Sequence, residues 1–260
     1  MKMSRLLLSL AALLLVLPAL LARPTGRQQR NVTLPFDLHV IEHASFYVTI
    51  PQFLGGDLIV FNDPYDTGLG LYDGLPKADL VLLSHAHADH FDLNCLKKVA
   101  VLGTTAFVAP PDVTESLVAA GYPRGLITTL ANWDSAVLYP GISIEAIPAY
   151  NMPPGTHHPQ GLWNGYVLTI NGTRVYISGD SEDIPEMRAL KDIDLAFVAF
   201  NLPYTMDVPD AADAVLDFLP AVVYPYHYRE SNVDLFRSLV EAGTDQVEVR
   251  QLNWYPGGTF

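Results

Sequence analysis

"LVLLSHAHADHFDL", residues Leu80 to Leu93, decides how this chain is read. A strand-like aliphatic run ends at Ser84. Three histidines and an aspartate, His85, His87, Asp89 and His90, then follow within six positions, with only alanines between them. Asp92 opens the next segment, "DLNCLKKVA" (92–100), which reads as a helix. In a turn between a strand and a helix, side chains fan from one point. His85 and His87 can therefore reach one ion while Asp89 and His90 turn toward a second. Imidazole nitrogen and carboxylate oxygen suit zinc, and also iron or manganese. The chain has a single cysteine, Cys95, so an internal disulfide and a cysteine-rich zinc cluster are both excluded. Any metal must be held by histidine and carboxylate.

Outward from this turn, strand and helix patterns alternate. "DLHVIEHASFYVTI" (37–50), "DLIVFND" (57–63) and "DLVLLS" (79–84) read as strands from their β-branched and aromatic content. "DVTESLVAAGY" (112–122) reads as a helix capped by Asp112 and stopped at Gly121. "SAVLYPGISIEAIPAY" (135–150) and "GYVLTINGTRVYISGD" (165–180) return to strands, and Asn171-Gly172 between two apolar runs is a strong hairpin signal. Next come strand "IDLAFVAF" (193–200), helix "DAADAVLDFL" (210–219), strand "AVVYPYH" (221–227), helix "NVDLFRSLVEAG" (232–243) and strand "QVEVRQL" (246–252). The order predicts an α/β layered sandwich with sheets inside and helices outside. The Pro/Gly-dense stretch "YNMPPGTHHPQGLWNG" (150–165) lies between two strands and carries histidine and tryptophan, so it reads as a functional loop.

Two more strand patterns end in a potential ligand, "RVYISGD" at Asp180 and "AVVYPYH" at His227. In open α/β architectures sites collect at strand ends. Gly179 lets the backbone turn and aim the Asp180 carboxylate inward; the competing role for Asp180 is a helix cap before "SEDIPEMRAL".

His-Ala-His-Ala-Asp-His resembles the H-x-H-x-D-H signature of the metallo-β-lactamase superfamily, and the other positions follow in the right order over roughly residues 36–252. Asp63 in "FNDPY" resembles that superfamily's early aspartate, Asp180 in "YISGDS" its metal-bridging aspartate, and His227 in "YPYHYR" its last histidine. The resemblance implies a four-layer αββα sandwich of two mixed β-sheets flanked by helices. It also implies two divalent metal ions, zinc first with manganese or iron as alternatives, held by His85, His87, Asp89, His90, Asp180 and His227. One position departs from the pattern: where the loop after "IPAY" usually supplies a histidine, this chain has Asn151, with His157 and His158 downstream. "PAYN" with a later His-Pro resembles a bacterial subgroup of uncharacterised hydrolases, which selects His158. His43 in "IEHASFYV" resembles a His-Ala-Ser segment of the lactonase-like and phospholipase-D-like branches. With Asp63 it is expected beside the ligands, fixing their orientation and tautomer.

Such a pair of ions lowers the pKa of water and polarises a substrate oxygen. The expected activity is hydrolysis of a small ester-type molecule, a phosphodiester or a lactone, with Asp89 as the catalytic carboxylate. No G-x-S-x-G elbow is present, and Cys95 lies in an apolar helix, so a covalent nucleophile is not expected. Tyr150, Trp163, Tyr204 and Met206 are expected to wall the substrate pocket. The competing class is a metal-binding or ligand-binding domain without catalysis, which would not need Asp89 beside His90.

The charge balance agrees with a small substrate. The net charge of -13 opposes nucleic acid, whose binding relies on lysine and arginine. At the start, Lys2 and Arg5 precede an apolar run from Leu6 to Ala22, the layout of a secretory signal peptide cleaved after Ala22. Removal of residues 1–22 deepens the net charge to -15. An uncleaved membrane anchor is the alternative, because the run approaches the lower limit of ~17 residues for a span. Residues 23–35 then form an N-terminal extension and 36–260 one hydrolase domain, exported and without a membrane span after cleavage.

Overall fold

The structure, a computed structural model, describes residues 32–52, 55–153 and 157–258. The expected leader, residues 1–22, lies outside the described residues. Among the described residues thirteen strands and five α-helices follow in chain order. The first half gives β1 (Asp37–Glu42), β2 (Ser45–Ile50), β3 (Leu58–Asn62), β4 (Leu80–Leu82), α1 (Leu93–Val99), β5 (Ala106–Ala109), α2 (Pro111–Ala119) and β6 (Ile127–Thr129). The second half gives β7 (Ser135–Tyr139), β8 (Ile142–Ala149), β9 (Trp163–Ile170), β10 (Thr173–Ile177), α3 (Pro185–Arg188), β11 (Leu195–Ala199), α4 (Val208–Phe218), β12 (Val222–Tyr226), α5 (Val233–Gly243) and β13 (Glu248–Val249).

Each half builds one mixed sheet. The first is ordered β1-β2-β3-β4-β5-β6, antiparallel up to β3 and parallel from β3 to β6. The second is ordered β13-β12-β11-β10-β9-β8-β7, parallel from β13 to β10 and antiparallel beyond. The central strands β4, β11 and β12 are apolar on both faces because both faces are buried. Alternation then sorts their side chains between layers. Leu80 and Leu82 join Phe46, Val60, Ile144, Leu168, Ile177 and Phe197 in a core between the two sheets. Val81 and Leu83 face the other way, packing with Phe61, Phe107, Leu96 and Leu117 under α1 and α2. On the far side Val167, Tyr176 and Val198 pack with Val215 and Phe236 under α4 and α5. Three apolar interfaces separate four layers, the αββα sandwich expected from the sequence.

Local departures have local causes. The run 37–50 is two strands, because His43 adopts a left-handed conformation (φ 55) and folds the chain back. Asp112 does not cap α2: Pro110 occupies that position, and the Asp112 carboxylate accepts from Trp163 Nε1 at 2.9 Å. Asp180 caps no helix either, since α3 is a single short turn that begins at Pro185. The Asn171-Gly172 hairpin is present, with both residues at positive φ (49 and 89). Strands β5 and β6 escaped the sequence reading because runs of four and three residues carry little periodicity. Among the described residues no helix is long and apolar enough to cross a membrane.

Candidate metal centre

The parallel strands of both sheets end on one edge of the sandwich, and the chemistry-bearing residues follow those ends. Asp63 comes directly after β3, the turn His85–His90 after β4, Asn201 after β11 and His227 after β12. Asp180 follows β10 through Gly179, which sits at φ 58. A Cβ on Gly179 would meet the Asn164 carbonyl oxygen at 3.0 Å and Ser84 Cβ at 3.3 Å, so glycine is required on both counts. His158 arrives from the loop joining β8 to β9. Four non-glycine residues here hold positive φ, His43 (55), Asp63 (38), His227 (49) and Arg229 (44). Such strain persists only where surroundings over-determine the backbone, and it concentrates at functional sites. Two backbone bonds sew the halves together at this point, from His227 N to His43 O (3.1 Å) and from His43 N to Trp254 O (2.9 Å).

Asp180 is the hub. Its Oδ1 lies 3.3 Å from His90 Nε2 and 3.4 Å from His227 Nε2, and its Oδ2 lies 3.5 Å from His158 Nε2 and 4.0 Å from His85 Nε2. Around it stand two groups whose ligand atoms all lie within 4.8 Å of one another: His85, His87 and His158 on one side, and Asp89, His90, His227 and His43 on the other. Each group draws residues from both halves of the chain.

The histidines are held by their other nitrogen. His90 Nδ1 donates to Asp63 Oδ2 at 2.9 Å, His158 Nδ1 to Asn151 Oδ1 at 3.0 Å, and His227 Nδ1 to Asn201 Oδ1. Ser84 gives its hydroxyl hydrogen to Asp63 Oδ2 at 2.6 Å, so its oxygen accepts His85 Nδ1–H at 2.8 Å. Every one of these acceptors places a hydrogen on Nδ1, so the neutral ring carries its lone pair on Nε2. The Nε2 atoms of His85, His90, His158 and His227, with Asp180 Oδ1, are buried and make no hydrogen bond among the described residues. Leaving five such atoms unpaired is costly, and a cation relieves all of them at once. The donor set therefore fits divalent metal.

Electrostatics follow from this crowding. Burial pulls His85 and His227 well below the ordinary histidine range and brings His158 to about 4. His90 goes the other way: burial lowers it, but the carboxylates of Asp180 and Asp63 outweigh that and hold it well above 6.5. Burial pushes Asp180 up, yet His227, His90 and His85 keep it well below the usual carboxylate range. The same balance, with His43 and His90 as partners, depresses Asp89.

These directions give the metal-free chain a stability optimum. The lowered groups His85, His158 and His227 take protons only when unfolded, so their contribution is present above 6.5 and lost as pH falls toward about 4. His90 contributes below 6.5 and that contribution is lost as pH rises through its raised value. Urea unfolding of metal-stripped protein is expected to show greatest stability near neutrality, with less at about pH 5 and at about pH 9. A steady rise across that range would contradict the His90 pairing.

Of the expected pocket residues, Trp163 lies against the cluster, its ring 4.7 Å from His87 and 5.1 Å from His85. Tyr204 is partly exposed at the rim, 5.0 Å from the His157 ring and beneath the Arg229 guanidinium at 5.4 Å. Tyr150 is not a wall residue: it packs in the outer apolar cluster and its hydroxyl donates to Glu186 Oε2 at 3.0 Å. Met206 fills the same cluster. His157 is exposed and His158 buried, which separates the two loop histidines. The sequence reading missed Ser84, Asn201, Arg229 and Tyr255. Asn201 had a signal, since it directly follows a strand pattern; Tyr255 had none.

Comparison with known proteins places this geometry. A family model described as "Beta-lactamase superfamily domain" matches residues 62–228. A UPF0173 metal-dependent hydrolase of Anaeromyxobacter dehalogenans is 30% identical over 204 residues, 72% of each chain. A solved structure assigned as a metal-dependent hydrolase, from Parabacteroides distasonis, superposes with a TM-score of 0.72 at 36% identity, covering 84% of this chain and 94% of that one. A metallo hydrolase of Ignicoccus hospitalis gives 0.66 at 26% identity, covering 86% and 97%.

Proposed function

The chain belongs to the beta-lactamase superfamily and is a metal-dependent hydrolase; from that premise we propose that it works with a pair of divalent cations, zinc first, on a small ester-type substrate. The observation that carries this reading is the Asp180 carboxylate, whose two oxygens face two separate histidine groups. His85, His87 and His158 would hold one cation, Asp89, His90 and His227 the other, and Asp180 would serve both. When bound, such ions supply an activated water near neutral pH and an electrophile for the substrate oxygen. The protein's own part is to hold the ligands rigid from behind, through Asp63, Ser84, Asn151 and Asn201, and to exclude bulk water from the buried nitrogens.

Asp89 enters this scheme as a ligand. The catalytic role expected for Asp89 is proposed with it: His43 and His90 keep the carboxylate ionised, the form that can accept a proton. A phosphodiester or lactone substrate is supported by the "HASF" (43–46) and "PAYN" (148–151) segments, which resemble the corresponding branches of the superfamily. Export through the apolar leader belongs to the same proposal.

The test begins with metal analysis of the purified chain, followed by assays with an aryl phosphodiester, a simple lactone and a chromogenic cephalosporin. About two ions per chain are expected, with turnover abolished by chelation and restored by Zn2+. Full turnover in the stripped protein would overturn the reading.

A further inference from the structure

We infer that His43 is a positioning residue that orients Asp89, locked in one tautomer by Tyr255, and is not a third nitrogen ligand of the group formed by Asp89, His90 and His227; this rests on the paired-cation reading above. By distance alone His43 qualifies as a ligand, since it falls within the same 4.8 Å cluster. Its hydrogen bonds run in the opposite sense to those of His85, His90, His158 and His227.

His43 Nε2 lies 3.2 Å from Asp89 Oδ2, and its Nδ1 lies 3.2 Å from the Tyr255 hydroxyl. An ionised carboxylate only accepts, so Nε2 carries the hydrogen. The Arg229 backbone N–H donates to the same Tyr255 oxygen at 2.8 Å. With the hydrogen on Nε2, Nδ1 of the neutral imidazole is an acceptor, and the Tyr255 hydroxyl donates to it. The ring is fully buried, where the neutral form is favoured. His85, His90, His158 and His227 each donate from Nδ1, so that their neutral rings carry the lone pair on Nε2. His43 has spent its Nε2 on a hydrogen, and a protonated nitrogen has nothing to offer a cation.

What it does instead is hold Asp89. Arg229 Nη2 also approaches Asp89 Oδ2, at 3.3 Å. Two donors on one oxygen fix the rotation of the carboxylate about its Cβ–Cγ bond, and with it the directions of the remaining lone pairs. The arrangement is anchored at both ends. His43 is buried in a strained hairpin, and its ring packs on His227 with centroids 3.7 Å apart. Tyr255 comes from a distant part of the chain and bonds both His43 and the residue that shares its task. Partners of this kind, one bond removed from a metal, are the ones whose loss weakens metal binding without removing a ligand.

The experiment uses the full chain, stripped of metal, and titrates it with Zn2+ against a chromogenic chelator in four forms: wild type, His43→Ala, His43→Gln and Tyr255→Phe. Glutamine places an amide N–H near the position of Nε2, so it keeps the donor and cannot replace an imidazole ligand. The first ion should bind alike in all four. The second should bind about 10–100-fold more weakly to His43→Ala and recover to within about threefold of wild type in His43→Gln. Histidine 15N spectra of the metal-free wild type should show His43 with hydrogen on Nε2, and Tyr255→Phe should shift its Nδ1 resonance. Equal loss in His43→Ala and His43→Gln would mean that the ion sits on His43 itself. Unchanged binding in both would leave His43 as scaffold only, and a hydrogen found on Nδ1 would break the chain of donors; each overturns the inference. A wild type that takes a single ion would sink the paired-cation reading, while the 15N spectra still decide the tautomer.

Discussion

Asp180→Asn is expected to lower turnover by at least about a thousandfold, equivalent to about 4 kcal/mol of transition-state stabilisation, and to leave the chain with about one ion or fewer. Asparagine keeps the shape of the side chain but removes the negative charge and one acceptor oxygen. Both oxygens are engaged here: Oδ1 faces His90 and His227, and Oδ2 faces His158 and His85. An amide nitrogen in either place would point hydrogens at imidazole lone pairs or at a cation. The loss therefore falls on both groups, whereas removal of a single histidine would impair one. Circular dichroism of the variant should match wild type, which separates lost chemistry from lost fold. Near-normal turnover with two bound ions would show that Asp180 is not the shared ligand.

The second large effect falls on stability. Asp63→Ala removes a fully buried carboxylate that accepts from the Ser84 backbone (2.8 Å), the Ser84 hydroxyl (2.6 Å) and His90 Nδ1 (2.9 Å). Breaking one side of a buried charged network costs about 3–5 kcal/mol, because the remaining partners stay desolvated. For a domain of this size that is a fall of roughly 10 °C or more in Tm. Asp63→Asn keeps one acceptor and should lose less. The damage should also reach metal binding, since His90 and, through Ser84, His85 both depend on Asp63 for their tautomers. Thermal unfolding of the metal-free variants measures the first effect and Zn2+ titration the second. A change of only a few degrees in Asp63→Ala would mean that the network tolerates an unpaired His90.

How much of this was legible in the residues depends on how local each signal is. The turn 85–90 was plain, because its side chains are neighbours in sequence and their types leave few alternatives. The layers were legible too, because strands buried on both faces and amphipathic helices write their periods into the chain. Asp180 and His227 were weaker, each being one polar residue at the end of an apolar run, and they gained meaning only together. Asn151 looked like a missing ligand. It is the acceptor that gathers the Nδ1 of His158 and the backbone N–H groups of His157 and His158. No local pattern announces a role that depends on how a loop closes. Tyr150 failed for a related reason: at the end of β8, a single residue's shift decides whether a ring faces the cluster or the outer helices. Tyr255 lies 212 positions from His43, and only the folded chain brings the two together.

The centre takes its donors from both sheets. His85, His87, Asp89 and His90 come from the half of the polypeptide that makes one sheet, and His158, Asp180 and His227 from the half that makes the other. Cations held there as proposed would act as a clasp across the seam. Neither half could assemble the proposed centre alone, so loading would report that docking of the two is complete, and the binding free energy would count toward holding them closed. Separation of the sheets would then have to wait for the ions to leave, and resistance to heat or protease would follow the free zinc concentration around the protein.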